Sequence, residues 1–166
     1  IQEAQGTWIG FLDDDNLPTE NWVAAAYTFG QSHPQAGAFG SEIQADYEVE
    51  PPPNFDRLAI YLPIVNRRKT YRFTARVLPP GAGLVIRRQA WLDCVPDKLI
   101  LQGPVANKLT VKGEDMEALL HLFKGGWEIW HNADMTIIHH IPKWRLERSY
   151  LLRFFRGSGL GLHRFR

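Results

Sequence analysis

The sequence predicts an α/β fold, a sheet flanked by helices, and three observations carry that expectation. Apolar runs of strand length alternate with segments of helical period along the chain. Glycine- and proline-rich turns separate them. One apolar run ends in three consecutive aspartates, at the kind of strand end where open α/β sheets meet their ligands. Size and composition agree: 166 residues, 45% of them hydrophobic and 22% charged, suit one core and exclude a disordered or fibrous chain. A formal charge of +1 gives no overall field that would favour nucleic acid. No apolar run reaches the ~18 residues of a membrane span. The single cysteine, Cys94, has no disulfide partner within the chain, which points to a reducing, cytoplasmic setting.

Trp8–Leu12 (WIGFL) is a continuous apolar run, read as a strand buried on both faces, and Asp13, Asp14, Asp15 and Asn16 end it. Leu17-Pro18 marks a turn. Thr19 is placed as the N-cap of a helix over Glu20–Ser32, where Trp22, Val23, Ala26, Tyr27 and Phe29 fall near a 3.6 period. Ala36–Ile43 reads as a strand. Pro51, Pro52 and Pro53 require an extended connection, and Phe55–Val65 has helical character. Asn66–Arg76 sets Arg67, Arg68, Lys69, Arg72 and Arg76 around Tyr71 and Phe73. Leu78–Gly83 (LPPGAG) is a glycine-rich turn that leads into a strand, Leu84–Ile86. Helices are expected over Gln89–Val95 and Glu114–Lys124, the second ended by Gly125-Gly126. Lys108–Lys112 makes a poor buried strand. Trp127–Trp130 and Met135–Ile141 read as two strands, and Leu146–Arg156 as a basic amphipathic helix. The chain so divides into a body, 1–142, and a basic C-terminal helix and tail, 143–166.

Three carboxylates at a strand end need a counter-charge, because like charges a few ångströms apart repel by ~1 kcal/mol or more each at surface-like dielectric. Mg²⁺ or Mn²⁺ would supply it, since these ions prefer hard oxygens and take one or two carboxylates plus substrate phosphates. A solvated Asp-rich turn is the plain alternative. Two chemistries use the arrangement. In phosphoryl transfer of the haloacid-dehalogenase type, the first Asp of Asp-x-Asp is the nucleophile and the second an acid. In glycosyl transfer from a nucleotide sugar, the same spacing holds a metal on the diphosphate. Downstream, Gly113-Glu114-Asp115 opens a helix whose dipole favours carboxylates, so the triplet is either helix-start chemistry or the seat of a general base, Asp115. The phosphoryl-transfer pattern would need a further Asp where Ala118 and Leu119 stand, which weakens it.

With its segments in this order, the chain resembles the family 2 glycosyltransferases of the GT-A fold. The resemblance rests on Trp8–Asn16 (WIGFLDDDN), Gly81–Arg88 (GAGLVIRR), Gly113–Asp115 (GED), Ile138–Pro142 (IHHIP) and the basic helix Arg148–Gly157 (RSYLLRFFRG). It implies an inverting enzyme that moves a sugar from a UDP- or GDP-linked donor to a carbohydrate or lipid-linked acceptor hydroxyl, with Mn²⁺ or Mg²⁺ as cofactor. Asp13 and Asp15 match the outer positions of the Asp-x-Asp motif, which bind metal and donor, with Asp15 the direct ligand. Asp115 matches the catalytic base, and Glu114 its neighbour. Gly81 and Gly83 belong to the glycine turn beneath donor sugar and acceptor. His139 falls where many members have a histidine near the metal or diphosphate. Members carry a Rossmann-like nucleotide-binding half before the Asp-x-Asp strand, whereas only Gln2–Gly6 precede it here. The resemblance therefore implies a partial GT-A-like mixed sheet, N-terminally truncated and lacking most of that half. The alternative from another class is a non-catalytic partial domain that forms homo-oligomers through exposed sheet edges.

His139-His140 lies in an apolar strand, and alternation puts one of the two on the cleft face. His139 is the choice, although a hydrogen-bonded core histidine is ordinary at such a place. From Lys143 to Arg166 seven Lys and Arg stand against one acid, Glu147. A packed helix with a solvated basic face, an arginine clamp on the leaving diphosphate with Arg148 as its residue, and adsorption to the inner face of an anionic membrane all fit that pattern. Arg67–Arg76 suits an acceptor-side loop, and Trp144 a sugar-stacking platform.

Overall fold

The computed structural model describes residues 1–59, 62–74, 77–101 and 113–164. In chain order its strands are β1 (Trp8–Gly10), β2 (Asn16–Pro18), β3 (Ala36–Tyr47), β4 (Tyr71–Arg72), β5 (Val85–Arg87) and β6 (Glu128–Ile141). The helices are α1 (Trp22–Ser32), α2 (Asp56–Ala59), α3 (Arg88–Cys94), α4 (Glu114–Lys124) and α5 (Arg148–Arg164). The strands form one mixed sheet in the order β1-β5-β3-β6-β2, with β4 added to β6. The long central strands β3 and β6 run parallel, and the other pairings are antiparallel.

Side-chain alternation along the strands decides which helix covers which face. Phe39 and Val85 meet Trp22, Ala26 and Phe29 of α1. Their neighbours in sequence, Ala38 and Ile86, meet Ala90 of α3 and Leu119 and Leu122 of α4. Helices thus cover both faces of the sheet, and each large apolar side chain so buried contributes about 1.5–3 kcal/mol. A third cluster, Phe55, Leu62, Ile141 and Leu146, seats the chain where it leaves β6.

Several expectations change. Trp8–Leu12 is not a strand covered on both faces: β1 is a sheet edge paired with β5, and Phe11 and Leu12 are 37% and 43% exposed. The Leu17-Pro18 turn is strand β2, where the edge position tolerates a proline that lacks an N–H. Asn21, not Thr19, precedes α1, and the Thr19 hydroxyl instead lies 2.8 Å from Asn21 Oδ1 and 3.0 Å from the Thr136 carbonyl, tying β2 to β6. Helical structure in Phe55–Val65 is confined, among the described residues, to Asp56–Ala59. The two expected strands after α4 are one strand, β6. Ser41 pairs with Asn132 and Glu42 with Thr136, so extra residues bulge out between them without ending the strand. A 3-10 turn, Lys143–Leu146, precedes α5. Lys108–Lys112 and Arg76 lie outside the described residues.

Candidate functional site

Phe11 N–H still donates to the Leu84 carbonyl (2.8 Å), and the chain then turns sharply, with Asn16 N–H donating to the Asp13 carbonyl (3.0 Å). β2 continues from this turn and pairs with β6 so that Asn16 faces His139. His140 N–H donates to the Asp15 carbonyl (2.9 Å), which fixes the acidic turn to the end of β6. That register decides the neighbours of each aspartate. Asp14 is exposed. Asp15 accepts from Asn16 Nδ2 at 2.9 Å, and its other oxygen, Oδ2, pairs with Arg145 Nη2 at 2.7 Å.

His139 Nε2 lies 3.5 Å from that same oxygen and 3.0 Å from Arg145 Nη1. A guanidinium can only donate, so Nε2 is the acceptor and the ring proton sits on Nδ1. Nδ1 is buried with no hydrogen-bond partner among the described residues. Burial holds the His139 pKa below the ordinary value, consistent with a neutral ring. Asp13 shows the reverse: although the residue is exposed, protein atoms crowding its carboxylate first, and then the charge of Asp15, push its pKa up.

The start of α4 approaches from the other side. Glu114 Oε2 accepts from Gly113 N–H (3.2 Å), and Asp115 Oδ2 accepts from Gly81 N–H (3.1 Å). A Cβ on Gly81 would lie 2.4 Å from that carboxylate oxygen, so only glycine permits the contact. Gly83 has φ +64°, and a Cβ there would meet Ser41 Oγ at 2.7 Å. The Ser41 hydroxyl donates to the Gly83 carbonyl (2.6 Å) and accepts from Trp22 Nε1 (2.9 Å). The glycine turn is therefore fastened both to α4 and to the sheet. Asp115 is open to the cleft, yet protein atoms crowd its carboxylate and raise its pKa. The Glu114 charge adds to this, and backbone N–H groups of Asp115 and Gly81 oppose it.

Asp13, Gly81, Glu114 and Asp115 line one cavity of about 500 Å³ whose apolar wall includes Phe11 and Trp91. Residues expected from distant segments thus come together, with Asp15 and His139 just behind the Asp13 turn. Arg148 does not join them through any described contact: it is exposed at the first turn of α5, and Arg145 is the arginine on Asp15. Trp144 is 51% exposed beside Arg145, whose guanidinium lies 5.3 Å from the indole ring.

Arg145 escapes the sequence because it is counted with the basic tail. The signal is Pro142, which ends β6 and lets the following turn bring Arg145 back to the strand end. A second buried acid–histidine pair also escapes it. Glu42 Oε2 accepts from the N–H groups of Arg67 (3.0 Å) and Arg68 (3.2 Å) and from His131 Nε2 (3.1 Å). Glu117, buried in α4, likewise accepts from the N–H groups of Ile100 and Leu101 (2.8 and 2.7 Å).

Asp13 and Asp15 supply the hard oxygens that Mg²⁺ or Mn²⁺ prefers, and the adjoining cavity could admit phosphate oxygens to complete the shell. His139 fits that shell less well, because Arg145 occupies the lone pair of Nε2 and Nδ1 carries the proton. Among the described residues, no group of three or more His, Cys, Asp or Glu stands ready to hold a metal without such help. No protein-family model matches the chain, and no curated protein sequence matches it. Among the described residues no helix is long and apolar enough to cross a membrane.

Proposed function

We propose that this chain carries the catalytic and acceptor-side part of an inverting, metal-dependent glycosyltransferase of the family 2, GT-A type. The observation that supports it most is the single cavity shared by Asp13 and Asp115, with Gly81 seated against the Asp115 carboxylate. In this reading Asp13 and Asp15 hold a divalent cation, which when bound supplies Lewis-acid stabilisation of the leaving diphosphate. Asp115 takes the proton of the acceptor hydroxyl. The freed oxygen bonds to the anomeric carbon while the bond to the diphosphate oxygen breaks and takes its electron pair. One direct displacement inverts the anomeric configuration. Crowding around Asp115 suits this role, because a carboxylate of raised pKa is a stronger base. Gly81 N–H orients the carboxylate, and Phe11 and Trp91 limit water at the reacting centre.

A lipid-linked acceptor would suit α5, which exposes Leu152 (59%) beside Arg148, Arg153 and Arg156. Calorimetry tests the donor site. UDP or GDP should give heat only with Mn²⁺, Asp15→Ala should abolish it, and Asp115→Asn should leave it. Silence at millimolar nucleotide would overturn the reading for this chain. A second, non-catalytic reading draws on the edge position of β1. It predicts concentration-dependent association by light scattering and no nucleotide heat.

A further inference from the structure

We infer that Arg145 is an internal cation standing where the divalent metal would act on Asp15, and that it leaves Asp15 when metal and diphosphate bind together. The inference rests on the glycosyltransferase reading above. The Arg145 fork engages both groups at the strand end, with Nη2 2.7 Å from Asp15 Oδ2 and Nη1 3.0 Å from His139 Nε2. A cation at Asp15 Oδ2 and this guanidinium cannot share the oxygen without strong repulsion. One must displace the other.

The guanidinium is also incompletely held. Arg145 Nε and His139 Nδ1 are both buried without a hydrogen-bond partner among the described residues. Such orphaned donors cost stability, so the arrangement depends chiefly on the charge of Asp15 and the lone pair of His139. A divalent ion offers Asp15 twice the charge and can win it. Arg145 can swing without losing every contact: it sits on the short turn Lys143–Leu146, and its guanidinium already lies 5.3 Å over the exposed Trp144 ring, a cation–π contact it can keep when it leaves Asp15. Released from Asp15, its five N–H donors suit a diphosphate, which takes bidentate arginine contacts readily. Metal and diphosphate should therefore bind cooperatively, each removing what opposes the other.

Mn²⁺ binding to the whole chain, followed by electron paramagnetic resonance with and without inorganic pyrophosphate, tests this. Wild type should bind Mn²⁺ weakly alone and at least about tenfold more tightly with pyrophosphate. Arg145→Gln should bind Mn²⁺ alone about tenfold more tightly than wild type and gain less from pyrophosphate. Arg145→Lys, which keeps the charge but loses the fork, should fall between them and serves if Arg145→Gln fails to fold. Mn²⁺ should also raise the melting temperature of the variants more than that of wild type. If the variants bind Mn²⁺ no better than wild type while Asp15→Ala loses it, the Arg145 inference falls and the glycosyltransferase reading stands. If neither wild type nor the variants bind Mn²⁺ with millimolar pyrophosphate, both fall.

Discussion

Near the start of β6, His131 donates its Nε2–H to Glu42, whereas near the end of the same strand His139 accepts from Arg145 beside Asp15. Both rings are almost fully buried, and burial lowers both pKa values. The carboxylates differ in who satisfies them. Glu42 takes two backbone N–H groups from Arg67 and Arg68, and the Tyr71 and Phe73 rings stand 5.1 and 6.4 Å from the His131 ring. Donors of that kind cannot leave without unfolding the loop. Asp15 is held by the side chains of Asn16 and Arg145, which can rotate away, and it adjoins a cavity through Asp13. Fixed donors make a carboxylate structural, and movable donors leave it available for chemistry.

Removing the fixed carboxylate should have the largest effect. Glu42→Ala leaves the buried His131 ring nitrogen without its acceptor and frees two half-buried backbone N–H groups of the Arg67–Arg68 turn, a cost of about 3–5 kcal/mol. Circular dichroism should show a melting temperature lower by roughly 10 °C or more. A wild-type melt would erase the contrast between the two pairs.

Gly81→Ala should act the other way. Its Cβ would displace the Asp115 carboxylate, so the glycosyl transfer proposed above should fall by at least about a hundredfold, the scale of a lost general base. The melting temperature should move by only a few degrees. Loss of folding together with activity would place this glycine among the structural devices, where Gly83, with its positive φ, belongs.

Asp115→Asn should raise the melting temperature slightly. The folded state raises the pKa of Asp115, so it holds the proton to higher pH than the unfolded chain does. Ionisation at neutral pH therefore costs stability, and that cost disappears below the ordinary carboxyl value of 3.8. The variant should melt above wild type at pH 7, with the gap closing in acid. A variant that is less stable at pH 7 would contradict the crowding of this carboxylate.

The histidines give the smallest effect and the opposite sign. Their folded pKa values lie below 6.5, so the unfolded chain takes up protons first as pH falls. Stability should decline as the solution is acidified below 6.5, and His131→Gln should flatten that slope in melts between pH 7 and 5.5.

The parts of the site that carry a local signal were legible in the sequence. Asp13–Asp15 is a density of charge, Gly81 and Gly83 are glycines in a tight turn, and Glu114-Asp115 opens a helix of clear period. Long-range pairing was not legible. β2 is three residues containing a proline, and nothing local announces that it lies against β6 and brings Asp15 to His139. Glu42 and His131 look like isolated polar residues until parallel pairing joins their strands. An apolar run such as Trp8–Leu12 reads the same at the centre of a sheet as at its edge, so the edge position of β1 is not visible in it. Of the fold, the alternation of apolar runs and helical periods foretold a sheet flanked by helices, while the mixed strand directions and the strand order had to come from the structure.

Under the proposed function, the strand-end aspartates and the Gly-Glu-Asp turn form one metal-dependent donor site. Substoichiometric Mn²⁺ added to the isotope-labelled chain with UDP should broaden the amide signals of Asp13–Asn16, Gly81–Leu84 and Gly113–Asp115, leaving those of Arg67, Arg68 and His131 sharp. Broadening centred on Glu42 and His131, or none at all, would contradict it.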